Sequence, residues 1–146
     1  MICARPQYSA IARQLLADDH AGGELEKTAC ADSAASVFER LEKRLAPLIG
    51  IAGMRALFAR AIKLTTGQFA LLEQLRSASL KDDANLAESL SDVLNRTDAA
   101  AAWKASTALY ANFLELTSSL IGERLVLLVL QRAFPKLDVT AKQESE

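Results

Sequence analysis

The chain has 146 residues, 51% hydrophobic, 24% charged and 5% aromatic, the balance of an ordinary globular protein and not of a disordered or fibrous one. Seventeen Lys and Arg face eighteen Asp and Glu, a formal charge of −1. No overall field draws the protein toward nucleic acid or anionic lipid, so either role would need a local patch.

One core serves a chain of this size, and a single domain over residues 1–146 is expected. The amino terminus, Met1-Ile2-Cys3-Ala4-Arg5-Pro6, lacks the apolar stretch of a signal peptide. The apolar run at residues 125–130 falls far short of the about 20 residues that span a bilayer. A cytoplasmic location without membrane contact is therefore expected. Cys3 and Cys30 are the two cysteines; a chain with this much core needs no staple and cytosolic thiols stay reduced, so neither is assigned a role.

The first expected helix covers about residues 7–18, where Tyr8, Ile11, Ala12, Leu15 and Leu16 share one face at i, i+3, i+4, i+7, i+8 spacing. Gly22-Gly23 stops it. Asp32 or Ser33 is placed to cap a second helix carrying Val37, Phe38, Leu41, Leu45 and Leu48. Pro47 should kink or end that helix, since proline supplies no amide and crowds the preceding turn. Residues 50–53 make a corner. A third helix follows, with Met54, Leu57, Phe58, Ala61 and Ile62 on one face and Arg55, Arg60 and Lys63 on the other.

Thr65 and Gln68 have the spacing of a capping box before a fourth segment through Phe69, Leu72 and Leu75. A fifth helix carries Leu86, Leu90, Val93 and Leu94, and Thr97 or Asp98 caps a long sixth through Trp103, Tyr110, Phe113 and Leu120, ending at Gly122. The last helix, residues 123–134, stops at Pro135. Its apolar centre also fits a buried strand by pattern alone; as a helix that is apolar all round, it belongs in the middle of a bundle or in a subunit interface. The tail, residues 136–146, is polar and is expected to be disordered.

An internal repeat favours the helix. At an offset of 72, Leu48-Ile49-Gly50 falls on Leu120-Ile121-Gly122, Phe38 on Tyr110, Leu41 on Phe113, Met54 on Val126, Phe58 on Leu130, and Arg60-Ala61-Ile62 on Arg132-Ala133-Phe134, with no gap. The expected fold is thus all-α: two pseudo-symmetric helical hairpins, at about residues 33–64 and 98–134, plus the amino-terminal helix. Each hairpin needs the other to cover its apolar face. The corner Leu-Ile-Gly-Ile-Ala-Gly-Met-Arg-Ala-Leu-Phe-Ala-Arg-Ala at residues 48–61, with the later Leu-Ile-Gly-Glu-Arg at residues 120–124, resembles a family of small all-helical bacterial proteins without known activity. The resemblance covers roughly residues 33–135. It implies a bacterial cytoplasmic protein and carries over no catalytic residue.

Chemistry-bearing patterns are sparse. His20 is the sole histidine and has no ligand partner at zinc-like spacing, so it reads as an exposed residue at a helix carboxyl end, and no metal is expected. Glu88 and Asp92 lie one turn apart without the Glu-x-x-His motifs of a di-iron site and read as a solvated face. No triad and no phosphate-cradling loop is present, so a non-enzymatic protein without a cofactor is expected.

Arg60 and Arg132 recur at equivalent positions. They either converge on a bound anion or border their apolar stripes and cover them with their methylenes. Arg40, Lys43, Arg44, Arg55, Arg60 and Lys63 concentrate positive charge in the first hairpin, but no aromatic platform accompanies them, which argues against nucleic acid. The apolar last helix and the alanines at residues 99–102 suit a homo-oligomer or a protein partner. An interaction or regulatory protein is the favoured reading. The alternative is a small-ligand sensor whose pocket, lined by Met54, Phe58, Val126 and Leu130, is gated by Arg60 and Arg132.

Overall fold

Every regular element among the described residues is an α-helix. In the computed structural model these residues are 6–18, 27–69, 72, 73, 75, 86–96 and 98–134. They form α1 (Pro6–Asp18), α2 (Lys27–Thr66), α3 (Leu86–Asn95), α4 (Ala99–Ile121) and α5 (Glu123–Ala133). The segment at residues 125–130 is helical, not extended. His20, Cys3 and the expected disordered tail lie outside the described residues.

The first helix buries the five side chains its periodicity singles out, Tyr8, Ile11, Ala12, Leu15 and Leu16, and packs mainly on α4. The second is one hydrogen-bonded run in name only. Gly50 has φ 83° and ψ 156°, a region essentially closed to residues with a Cβ. In a straight helix, residues 38 and 58 would stand about 30 Å apart. Instead the rings of Phe38 and Phe58 lie 4.6 Å apart between centroids, so α2 doubles back and its two arms bury their apolar faces against each other.

Phe58 also meets Tyr110 and Phe113 of α4, at 6.0 Å and 5.7 Å. It therefore joins both arms of α2 to the long central helix. Tyr110 adds a polar tie, its hydroxyl donating to the Ala34 carbonyl. One continuous cluster of buried apolar residues runs through all five helices.

At the start of α4, Asp98 caps as expected: its carboxylate accepts from the Ala101 amide at 3.1 Å, satisfying one of the orphan donors of the first turn. At the end, Gly122 takes φ 97° and ψ 146°, and its amide donates to the Ser118 carbonyl. α5 then packs on α4 and on α2. Arg40 donates to the Ala133 carbonyl at 2.6 Å, while Pro47 and Leu48 share a groove with Leu125 and Leu128. Rising numbers on one helix thus meet falling numbers on the other, so α5 runs antiparallel to the first arm of α2.

Several local expectations are corrected. Asp32 and Ser33 do not cap α2, which begins at Lys27 and buries Ser33 inside it; the upstream polar stretch lacks a breaker strong enough to stop the helix extending. Pro47 does not end the helix. The break falls at Gly50, where the backbone is freest, and the lost proline amide sits on an exposed face. The expected corner at residues 50–53 narrows to Gly50, because Gly53 is helical.

Thr65 is not an amino-terminal cap. It is buried in the last turn of α2, where its hydroxyl donates to the Ala61 carbonyl at 2.7 Å and its own carbonyl accepts from the amides of Gln68 and Phe69. The last helix is not buried all round: Val126, Val129, Leu130 and Ala133 are buried, but Leu128 is exposed. Phe134 lies just past its end, as the cap. Finally, Ser33–Thr66 is long and apolar enough, by length and composition, to cross a membrane, which the short run at residues 125–130 did not foretell. Gly50 divides that stretch, and the arm after it ends at Thr66, short of the about 20 residues of a spanning helix.

Candidate functional site

Four large hydrophobics stand at the surface among the described residues. Leu48, Ile51, Leu120 and Leu128 are 50%, 61%, 60% and 44% exposed. Leu48, Ile51 and Leu120 stand within two residues of Gly50 or Gly122, and Leu128 lines the same groove as Leu48. Single exposed leucines are ordinary on a protein surface, whereas apolar side chains that share one concavity, as Leu48 and Leu128 do, are a candidate binding surface. For Leu48, Ile51 and Leu120 the corners account for the exposure: where a helix breaks at a glycine, the apolar stripe carried into the turn no longer faces the neighbour it was packed on.

Between the first arm of α2 and α5 lies a surface groove of about 280 Å³. Its apolar lining comes from Pro47, Leu48, Leu125, Leu128 and Val129, and its charged lining from Lys43, Arg44 and Arg132. Among the described residues no acidic side chain lines it. The three cations are exposed, so their heads stay hydrated while their stems cover the apolar floor.

The residues singled out from sequence separate into two groups. Met54, Phe58, Val126 and Leu130 are all in the core, packed among aromatic and aliphatic neighbours. Arg60 and Arg132 are both exposed, and Arg132 alone of the six lines the groove. Lys43 and Arg44 were noted as part of a charged face, but their association with α5 was not visible.

Three of the buried polar side chains, Thr65, Asn112 and Thr117, are hydrogen-bonded inside the bundle. Asn112 donates to the Thr65 hydroxyl oxygen at 2.9 Å, and the Thr117 hydroxyl donates to the Phe113 carbonyl at 2.8 Å. This interior is hydroxyl and amide chemistry, suited to fixing helix register. Glu88 and Asp92 are exposed on α3, whose Ala87, Leu90, Val93 and Leu94 face inward. Among the described residues no group of three or more His, Cys, Asp or Glu side chains is gathered as a metal site. No protein-family model matches the chain, and neither the curated proteins nor the solved structures yield a match.

Proposed function

We propose that the protein is a non-enzymatic interaction module, acting through contacts with other protein chains made by the apolar surface around its two glycine corners. The observation that carries this reading is the exposure of Leu48, Ile51, Leu120 and Leu128, of which Leu48 and Leu128 line one groove. Keeping such side chains in water costs stability, roughly 1.5–3 kcal/mol of forgone burial for each large aliphatic. A surface that retains them has a use for them.

The finer architecture belongs to the same proposal: two helix-corner-helix units related by an approximate two-fold, with α1 alongside. Three agreements at the offset of 72 support it. Gly50 and Gly122 share one unusual backbone conformation. Burial matches along the units, with Phe38, Met54 and Phe58 buried like Tyr110, Val126 and Leu130, and Leu48 and Arg60 exposed like Leu120 and Arg132. Arg40 holds the Ala133 carbonyl, while Asn112 holds Thr65, which itself bonds the Ala61 carbonyl.

The test compares the wild-type chain with a Leu48→Ser, Ile51→Ser, Leu120→Ser variant as baits under identical conditions. Proteins captured by the first and lost by the second, with far-UV circular dichroism and urea midpoint unchanged, support the proposal. An identical captured set, or no capture by either bait, overturns it.

A further inference from the structure

We infer that the groove between the first arm of α2 and α5 receives an acidic amphipathic helix of a partner protein. Its apolar side chains seat between Leu48 and Leu128, and its carboxylates meet Lys43, Arg44 and Arg132. The inference rests on the interaction reading above and specifies the partner's chemistry.

Shape is the first argument. The walls are two antiparallel helices, and on α5 the lining positions 125, 128, 129 and 132 follow the i, i+3, i+4, i+7 pattern, a row about 10 Å long. Two such walls are the setting in which amphipathic helices dock, by laying an apolar stripe into the gap. At about 280 Å³ the groove lies below the roughly 300–1,000 Å³ of a pocket that encloses a drug-sized ligand. It suits inserted side chains.

Charge is the second argument. Among the described residues three cations and no acid line the groove of a chain whose overall charge is −1, so the positive potential is local. Charges at the rim of an apolar contact set partner choice more than raw affinity. They exclude a basic helix and admit an acidic one.

The same observations disfavour two other occupants. A second copy would need to offer an acidic helix with a free apolar stripe, but α3, which carries Glu88 and Asp92, has already buried Ala87, Leu90, Val93 and Leu94 in its own core. A bilayer takes up side chains that project, whereas Leu48 and Leu128 line a concavity.

The test measures binding by fluorescence anisotropy of a labelled helical peptide of about five turns, with leucines at i, i+3, i+4, i+7 positions and glutamates flanking them. The comparison peptide has lysine in place of every glutamate. Tight binding of the glutamate peptide, at least about tenfold weaker binding of the lysine peptide, and weakening with salt are expected. The Lys43→Glu, Arg44→Glu, Arg132→Glu variant should invert that preference, and Leu128→Asp should abolish binding of both peptides.

A milder variant, Lys43→Gln, Arg44→Gln, Arg132→Gln, keeps the measurement interpretable should charge reversal disturb folding; it should lose the glutamate peptide without gaining the other. Equal binding of the two peptides, or no binding of either, overturns the inference. So does recruitment to phosphatidylserine vesicles that needs the three cations, or an oligomer that Leu128→Asp dissociates. If a captured protein depends on Leu48, Ile51 and Leu120 but not on the three charges, the groove assignment falls and the interaction reading stands. If it depends on neither set, both fall.

Discussion

Arg40 and Ala133 are joined across 93 positions of sequence by a hydrogen bond of 2.6 Å from the guanidinium to the carbonyl. The same guanidinium lies over the ring of Phe134, 4.1 Å from its centroid. One side chain thus satisfies a carbonyl that the end of α5 leaves without an intrahelical donor and adds an attraction between cation and ring face. It ties the end of the last helix to the first arm of α2.

Removing that tie should loosen α5 from its carboxyl end. Arg40→Ala is expected to cost about 1–3 kcal/mol, the range for a hydrogen bond to a charged group with its stacked ring. Amide hydrogen exchange should quicken in the last turn of α5 before it does in α4. Arg40→Lys should recover only part of the loss, because an ammonium cannot stack flat and donate in the fixed geometry of a guanidinium. Equal exchange rates in wild type and Arg40→Ala would refute the role.

The three glycines around the corners should respond with opposite signs. At Gly50 and Gly122 a Cβ would meet nothing within 4 Å, yet φ is +83° and +97°. The penalty of Gly50→Ala or Gly122→Ala is therefore backbone strain alone, about 1–3 kcal/mol each. Gly53 is helical, and a Cβ there would touch the Ile49 side chain at 3.4 Å, ordinary contact. Gly53→Ala should gain about 0.5–1 kcal/mol, since alanine loses less backbone freedom on entering a helix. Urea denaturation followed by fluorescence of Trp103, the sole tryptophan, separates the two signs.

What the sequence disclosed, and what it concealed, follow from where the information lies. Apolar spacing at 3.6-residue periods is local, so the buried faces of α1 and of the arms around Phe38 and Phe58 were legible from the residues themselves. The capping by Asp98 and the termination at Gly122 are equally local. Thr65 misled because a hydroxyl that can cap a helix can also bond a carbonyl one turn back inside one, and Ser33 because a small hydroxyl residue can equally be buried within a helix; tertiary burial decides. Pro47 misled because the penalty of proline depends on whether the neighbouring backbone can absorb it, and Gly50 does so three residues later. The groove was hidden for a different reason: Lys43 and Arg132 are brought together only by the antiparallel packing of α5 on α2, which no local pattern encodes.

The buried pair Asn112 and Thr65 should behave as a coupled unit. Asn112 donates to the Thr65 hydroxyl oxygen, and the Thr65 hydroxyl in turn donates to the Ala61 carbonyl. Asn112→Ala leaves Thr65 with an unfilled acceptor and opens a small void, while Thr65→Val strands a buried amide; each is expected to cost about 1–3 kcal/mol. The double variant should cost less than the sum, by about 0.5–3 kcal/mol, as residues sharing one hydrogen bond do. Additive losses in a double-mutant cycle of urea midpoints would show that the two side chains act independently.

Phe58 should be the most sensitive of these positions, because its ring is shared by three packing partners on two helices. Phe58→Ala removes the common neighbour of Phe38, Tyr110 and Phe113 at once, and a cavity among rings collapses poorly, so about 3–5 kcal/mol is expected. Domains of this size have about 5–15 kcal/mol in total. The variant should remain folded only at low temperature, with near-UV circular dichroism from Tyr110 diminished while far-UV helicity persists. Phe58→Leu fills most of the volume and should cost less than half as much. The decisive comparison is with Leu57→Ala: the neighbouring side chain is only half-buried, so its removal should cost markedly less. Equal losses at the two positions would mean that the ring cluster does not hold the arms of α2 to α4.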